Sequence, residues 1–384
     1  LESQDLNAVR EGYERVIRPR LADARFFLEQ DQKRPFEAFL PALDRVVFQK
    51  DIGSVGDKSR RMSQISKTLA EVSACDPVVA ERAALLAKCD LLTQMVGEFP
   101  ELQGVMGAHY ARVSGEAPEV AAAIGEHYAP AFAGDGIPAS DAGRIVSIAD
   151  RADTLVGIFA AGLRPSGNKD PFALRRAALG LVRILLEAGL DLPLNRILAL
   201  AANELGSHVA IAPSLLVDVR DFVVERLRHH YRERGFATEL VQAALSSDWD
   251  TLPDLERRLT AIDGFMGQEA AASLAAANKR IRNILKKSEE SFSEEISSDR
   301  LVLPEEKLLF DEVSCLETEL ESLLAERDYA ASLQLLSRLK QPVDAFFDAV
   351  MVMDEDPSLR KNRLALLAHL KGLFDRIADL SVLG

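Results

Sequence analysis

Five cations and no carboxylate stand in the run Ala277–Lys287 (Ala-Asn-Lys-Arg-Ile-Arg-Asn-Ile-Leu-Lys-Lys). Helical spacing buries Ile281, Ile284 and Leu285 there and leaves Lys279, Arg280, Arg282, Lys286 and Lys287 outward or flanking, a pattern suited to neutralising phosphates. Two other stripes are weaker. Arg220–Arg234 mixes its arginines with Asp221, Glu225 and Glu233, and the first helix carries Arg10, Arg15, Arg18, Arg20 and Arg25. The competing explanation for each is an ordinary solvated helix face, and it weighs most against these last two. The whole chain sums to 46 − 60 = −14 charges. Any nucleic-acid site must therefore be a local basic patch on an acidic body.

Other chemistry has less support. There is no Gly-x-Ser-x-Gly, no Cys with a nearby His, and no phosphate-cradling glycine loop followed by Lys and Ser or Thr. Gly162–Lys169 (Gly-Leu-Arg-Pro-Ser-Gly-Asn-Lys) has the residue types of an anion loop, with Arg164 and Lys169 near a helix start at Pro171; a tight turn between two helices explains the same residues. For a metal, His109 and His127 with Asp90, Asp150 and Asp153 form a conceivable ligand set, set against ordinary hydrogen-bonded histidines. No two histidines stand at i, i+4, and no His-Asp dipeptide occurs.

Positioning these residues falls to helices. Apolar residues recur at helical spacing over 5–31, Asp57–Val72, Pro77–Met95, 118–133, 139–163, Pro171–Ala188, 193–206, 213–234 and 267–287. Only Asp44–Asp51 alternates like a strand, with Gly53 and Gly56 after it. The polar stretch Lys286–Glu306 predicts a surface connection. Beyond it, stripes through Leu309–Leu323, Tyr329–Val350 and, behind Asp356-Pro357, Leu364–Leu380 join the 267–287 helix in an antiparallel bundle of about four helices. No apolar run reaches the roughly 20 residues that cross a bilayer. Three scattered cysteines, Cys75, Cys89 and Cys315, predict a reducing intracellular compartment. The chain opens at Leu1 in mid-helix character, without Met or a signal peptide, and is read as a piece of a longer polypeptide.

Several strings are longer than chance explains: Leu21–Phe27 (Leu-Ala-Asp-Ala-Arg-Phe-Phe), Val46–Lys58, Gly97–Ala111, Arg151–Phe159 and Lys169–Arg176 (Lys-Asp-Pro-Phe-Ala-Leu-Arg-Arg). In order and over essentially the whole chain, they resemble the β subunit of bacterial-type glycyl-tRNA synthetase, or the matching half of a fused plastid form. The resemblance implies the C-terminal part of that subunit. It also implies a mainly all-α fold: a degenerate HD-type helical domain over 1–200, a helical linker over 201–264, and over 265–384 a bundle similar to the anticodon-binding domain of arginyl-tRNA synthetase.

The implied function is holding glycine tRNA and reading its anticodon, while an α subunit attaches glycine using ATP and magnesium. No catalytic residue, cofactor or metal is then expected in this chain. The expected partners are glycine tRNA and the α subunit, with neither DNA nor a membrane; the expected compartment is the cytoplasm or a plastid stroma. The expected tRNA contacts are Asn278, Lys279, Arg280, Arg282, Asn283 and Lys286 on one helix, Arg360, Lys361, Asn362, Arg363 and Lys371 on a facing helix, and Lys169, Arg175 and Arg176 elsewhere. Asp90, Asp150, Asp153, His109 and His127 are the expected degenerate HD positions. Without the His-Asp dipeptide, a water-activating metal lacks ligands. An active metal-dependent nucleotide phosphohydrolase and a purely protein-binding scaffold are the alternatives.

Overall fold

The computed structural model describes residues 6–132, 134–206, 209, 211–212, 214–288 and 295–384. Its contacts divide the chain into two units, 1–226 and 227–384. The first contains α1 (Leu6–Asp31), a 3₁₀ stretch Phe36–Arg45, the short antiparallel pair β1 (Val47–Gln49) and β2 (Gly53–Ser54), and then α2 (Val55–Ala70), α3 (Pro77–Leu86), α4 (Gln94–Glu98), α5 (Val105–Val113), α6 (Pro118–Glu126), α7 (Asp141–Ala160), α8 (Leu174–Glu187) and α9 (Leu194–Leu205). The division falls inside α10 (Leu215–Glu233). The second unit holds α11 (Thr238–Leu245), α12 (Leu252–Met266), α13 (Glu269–Lys287), α14 (Pro304–Ala325), α15 (Tyr329–Leu336), α16 (Lys340–Ala349) and α17 (Pro357–Asp375). Among the described residues no helix is long and apolar enough to cross a membrane.

In the first unit α2 and α7 form the centre, packed on each other and on α3, α8 and α9. Residues 145–159 of α7 are almost continuously buried, so this helix is wrapped rather than amphipathic. Ser54 starts α2 with a reciprocal cap: its hydroxyl accepts from the Asp57 amide at 3.0 Å and the Asp57 carboxylate accepts from the Ser54 amide at 2.9 Å. Burial would raise the Asp57 carboxyl, but these bonds and Arg60 outweigh it and hold the group well below its usual range.

The helix expected over Pro77–Met95 is broken. It ends at Leu86, passes through a 3₁₀ turn at Cys89–Leu92, and restarts at α4 under a Thr93 cap. The break turns Lys88, Cys89 and Asp90 into the interior.

The second unit groups α11 and α12 with the bundle: α12 packs on α11 and α15, and α13 on α16 and α17. The separate linker expected over 201–264 is thus divided between the two units. The cause is apolar burial: Leu255, Leu259, Ile262 and Phe265 of α12 are core residues. Within the expected connection Lys286–Glu306, α13 continues to Lys287 and α14 starts at Pro304; residues 289–294 lie outside the described residues.

Candidate functional site

Titratable residues converge at the heart of the first unit, and lysines dominate the centre. One turn apart, Lys58 and Arg61 of α2 face Asp150, Asp153 and Thr154 of α7. Lys58 Nζ donates to Asp150 Oδ1 at 2.7 Å, Asp153 Oδ2 at 3.2 Å and Thr154 Oγ1 at 2.7 Å. Arg61 clamps Asp153 in bidentate fashion, Nε to Oδ1 at 2.5 Å and Nη2 to Oδ2 at 3.1 Å. Lys88 Nζ takes the other Asp150 oxygen at 2.7 Å, lies 2.8 Å from His127 Nε2, and sits 4.0 Å from the centroid of the Tyr128 ring.

The electrostatics of this centre follow from burial and from the two ammonium groups. His127 is buried, and its Nδ1 donates to the Ile124 carbonyl at 2.7 Å, which leaves Nε2 to accept from Lys88. Burial and then the Lys88 charge push the His127 pKa down to about 3, so the ring is neutral. Burial alone would raise the Asp150 carboxyl; Lys58 and Lys88 outweigh it and hold the group well below the usual carboxylate range.

The five expected HD positions do not meet at one point. Asp90 Oδ2 accepts from the Gly104 and Gly107 amides at 2.5 and 3.2 Å, capping the start of α5, and burial raises its pKa. Gly107 is required there, since a Cβ would lie 2.9 Å from Ile124 and 3.0 Å from Asp90. His109 faces Gln32 at 3.0 Å. Asp153 is consumed by Arg61, and only Asp150 and His127 converge, on Lys88. Among the described residues no three His, Cys, Asp or Glu side chains are placed to hold a metal. The residues present do not fit a divalent cation: the ammonium of Lys88 stands where an ion joining Asp150 to His127 would have to be. Burial also raises the thiols, Cys75 to about 11 and Cys89 to about 12, so neither is a poised nucleophile.

The Gly162–Lys169 loop folds as a turn. Ser166 and Lys169 exchange backbone bonds at 3.1 and 2.9 Å. The following helix starts at Leu174, and Asp170 accepts from the Leu174 and Arg175 amides at 2.8 and 2.9 Å. The positive end of α8 is therefore met by the chain's own anion. Arg164 is paired with Asp218, and Arg175 donates to the Gly167 carbonyl at 2.6 Å. Lys169 is exposed; so is Arg176, which lines a cavity of about 500 Å³ together with Gln103, Tyr128, Asp150 and Phe172.

In the second unit the face of α13 is presented differently. Ala271, Leu274, Ala275, Asn278 and Ile281 point inward. Lys279, Arg280, Arg282, Asn283, Lys286 and Lys287 are exposed. Among the described residues Asn283, Lys286 and Lys287 make no hydrogen bond or ion pair, and Lys279 meets only the Gly384 carbonyl at 2.6 Å. Arg280 lies over the Phe347 ring, 4.2 Å from its centroid. Arg282 is less available: it donates to Ser381 at 3.0 Å and lies 3.7 Å from Asp379. Lys279, Arg280, Asn283, Ile284 and Lys287 line a shallow cavity of about 330 Å³.

Five expected contacts are placed otherwise. Asn278 is buried and its amide donates to the Leu274 carbonyl at 2.9 Å. Asn362 is buried and locks Ser297 from both sides, accepting at 2.8 Å and donating at 3.1 Å. Arg363, 4% exposed, pairs with Glu306 and with Asp354 at 2.6 Å. Arg360 donates to the Asp354 carbonyl at 2.6 Å, and Lys371 pairs with Asp375 of its own helix. The reason is helical phase: Arg363 shares its face with Leu366, Leu367 and Leu370, all core residues. On α17 Lys361 remains exposed.

Of the two weaker basic stripes, the first helix is largely answered, and in the other Arg234 is. Arg18 pairs with Glu14 at 2.7 Å, Arg20 with Glu98 at 2.9 Å, Arg25 with Glu29 at 2.8 Å and Arg234 with Glu256 at 2.5 Å. Sequence reasoning missed Phe347. Its signal was the adjacent pair Phe346-Phe347, of which a helix can bury only one on a single face.

Comparison with known proteins matches residues 1–246 to the family described as glycyl-tRNA synthetase beta subunit, and residues 274–381 to the DALR anticodon binding domain. The glycine–tRNA ligase beta subunit of Acinetobacter baylyi is 45% identical over 383 residues, and that of Escherichia coli 46%. Both alignments cover the whole of this chain but 55% of the relative, so the chain spans about half the length of the proteins it matches.

Proposed function

Because the chain belongs to the glycyl-tRNA synthetase β-subunit family, we propose that it is a tRNA-holding part of that ligase, with α13 as the edge that meets the anticodon loop. The observation that carries this reading is the cationic face of α13, largely unanswered among the described residues, inside the anticodon-binding domain. On a chain of net charge −14, this local surplus supplies the phosphate attraction that the body as a whole does not. Unstacked loop bases are read by stacking and by edge hydrogen bonds, and Asn283 offers an exposed amide beside the cations.

The partners in this reading are glycine tRNA and an α subunit that activates glycine with ATP and magnesium and attaches it to the tRNA end. Holding the tRNA turns that transfer into an effectively intramolecular step. The first unit acts as a degenerate HD-type scaffold. Its Lys58–Asp150–Lys88 centre supports this, because carboxylates tied to fixed ammonium groups neither bind a metal nor activate water. Bacterial relatives favour a cytoplasmic setting over a plastid stroma.

The test is tRNA binding by the chain at several salt concentrations. Lys279→Glu with Arg280→Glu should weaken glycine tRNA by more than about tenfold. It should also flatten the salt dependence by roughly 0.7 for each phosphate no longer neutralised. Unchanged affinity across the salt series would remove α13 from the interface. Nucleotide hydrolysis that a chelator abolishes would point to the phosphohydrolase instead.

A further inference from the structure

We propose that Arg280, held against Phe347, is a stacking platform for one unpaired base of the bound RNA loop, and that Phe347 is the positioning residue that keeps it flat. This deepens the RNA-binding reading of α13 and rests on it. Phe346 is fully buried in α16, and its ring meets that of Phe347 at 5.5 Å and 81°, edge to face. The buried ring anchors its neighbour at the surface, where Phe347 is half-buried beneath Arg280. At 4.2 Å from the centroid the guanidinium lies on the ring face.

What marks this pair is a missing anion on the cationic face of α13; Arg34 over Phe39 and Arg226 over Phe222 also lack a described carboxylate but stand outside that face. Lys88 over Tyr128 is met by Asp150 at 2.7 Å, and Arg258 over Tyr329 by Asp254 at 2.8 Å. Arg280 has an aromatic partner, no carboxylate among the described residues, and an exposed side chain. A planar cation with one face covered and one face open is a surface on which a nucleobase stacks. Asn283, three residues on and on the same helix face, offers a donor and an acceptor to the base edge. Lys279 and Lys287 flank the platform at the positions where the adjoining phosphates would pass.

The experiment uses the 384-residue chain and an RNA hairpin bearing the anticodon loop of glycine tRNA, with 2-aminopurine placed in turn at each loop position. Binding should quench the fluorophore at one position. Arg280→Lys keeps the charge and loses the plane; Phe347→Leu keeps the volume and loses the ring. Each should weaken binding by roughly tenfold, abolish the quench, and leave the salt slope as in the unaltered chain. The double variant should be no weaker than either single one. Phe347→Tyr restores the ring and should bind within about twofold of the unaltered chain.

Arg280→Lys is a surface change that leaves folding intact. Wild-type affinity and quench in that variant would overturn the platform, whatever Phe347→Leu does to stability. If the unaltered chain fails to bind the hairpin, or Lys279→Glu binds equally well, the RNA-binding reading itself falls. Weaker binding with Lys279→Glu but not with Arg280→Lys sinks the platform alone.

Discussion

Lys58 and Lys88 each lie 2.7 Å from an oxygen of Asp150, deep in the first unit, whereas Lys286 and Lys287 on α13 meet no described anion at all. Both regions are cationic in sequence, and they do opposite things. In the first unit Lys58, Arg61 and Lys88 are each answered by a carboxylate of α7, and the result is a rigid core. On α13 the charges face water, and among the described residues only Arg282 comes near an acid, Asp379 at 3.7 Å. A cation is available to a partner only when its own chain leaves it unanswered. The first helix makes the same point from the other side: it is rich in arginine, yet Glu14, Glu29 and Glu98 take up most of its charge.

The comparison is most sharply broken at Asp153. Asp153→Ala strands Arg61 in the core, while Lys58 keeps Asp150, and should cost about 3–5 kcal/mol, because an unpaired buried charge remains. Hydrogen exchange in α2 and α7 during urea unfolding measures it, and a change under about 1 kcal/mol would mean the centre is not a structural pair.

Arg363→Met is next. It leaves Glu306, which is completely buried, without its guanidinium and should cost about 3 kcal/mol. At temperatures where the variant stays folded, tRNA affinity should be unchanged. A variant that binds tRNA poorly while fully folded would return α17 to the interface.

pH gives a smaller and graded effect. The folded His127 pKa of about 3 lies below the ordinary histidine value of about 6.5. The unfolded chain therefore binds the extra proton between those values. Stability is complete above about pH 6.5 and falls as pH drops toward 3, by at most about 1.4 kcal/mol per pH unit from this group. Asp150 adds to the decline only below about pH 4, where its unfolded form takes up a proton. Thermal unfolding from about pH 7 to about pH 4 should show this slope, and His127→Gln should flatten it; an equal slope in both proteins would mean another group carries it.

The smallest expected change is at Lys361, exposed on α17. Lys361→Ala should shift tRNA affinity by less than about threefold, since one peripheral phosphate contact is all it can make. An effect as large as that at Lys279 would widen the interface to a second helix.

Much of the fold was legible in the residues. The spacing of apolar positions found most of the helices, α13 and α17 to within a few residues, because burial of one face leaves a strong period; α5, α11 and α12 were not among those expected. Capping residues such as Asp356-Pro357 marked a true start. The break at Leu86 was not legible: Lys88, Cys89 and Asp90 sit in an apolar-rich run that reads as continuous helix, and only contacts with Asp150, His127 and the Gly104 amide turn the chain there.

On the candidate site, charge counting found the exposed lysines of α13 but could not tell them from Arg363, whose answering acid Glu306 is 57 positions away. Asn278 was expected at the surface and is buried for a related reason: its partner is a backbone carbonyl four residues back, which no side-chain pattern reports. Phe347 went unnoticed because the pattern of apolar residues does not say which ring of the Phe346-Phe347 pair is buried and which lies toward the surface.

The most direct measurement is lysine acetylation of the folded chain, with and without glycine tRNA, read residue by residue by mass spectrometry. Lys279, Lys286 and Lys287 should label quickly in the free chain and become protected by glycine tRNA, while Lys58 and Lys88 label slowly in both states. Equal labelling of the α13 lysines with and without tRNA, or rapid labelling of Lys58 and Lys88 in the folded chain, would contradict the division between answered and unanswered cations.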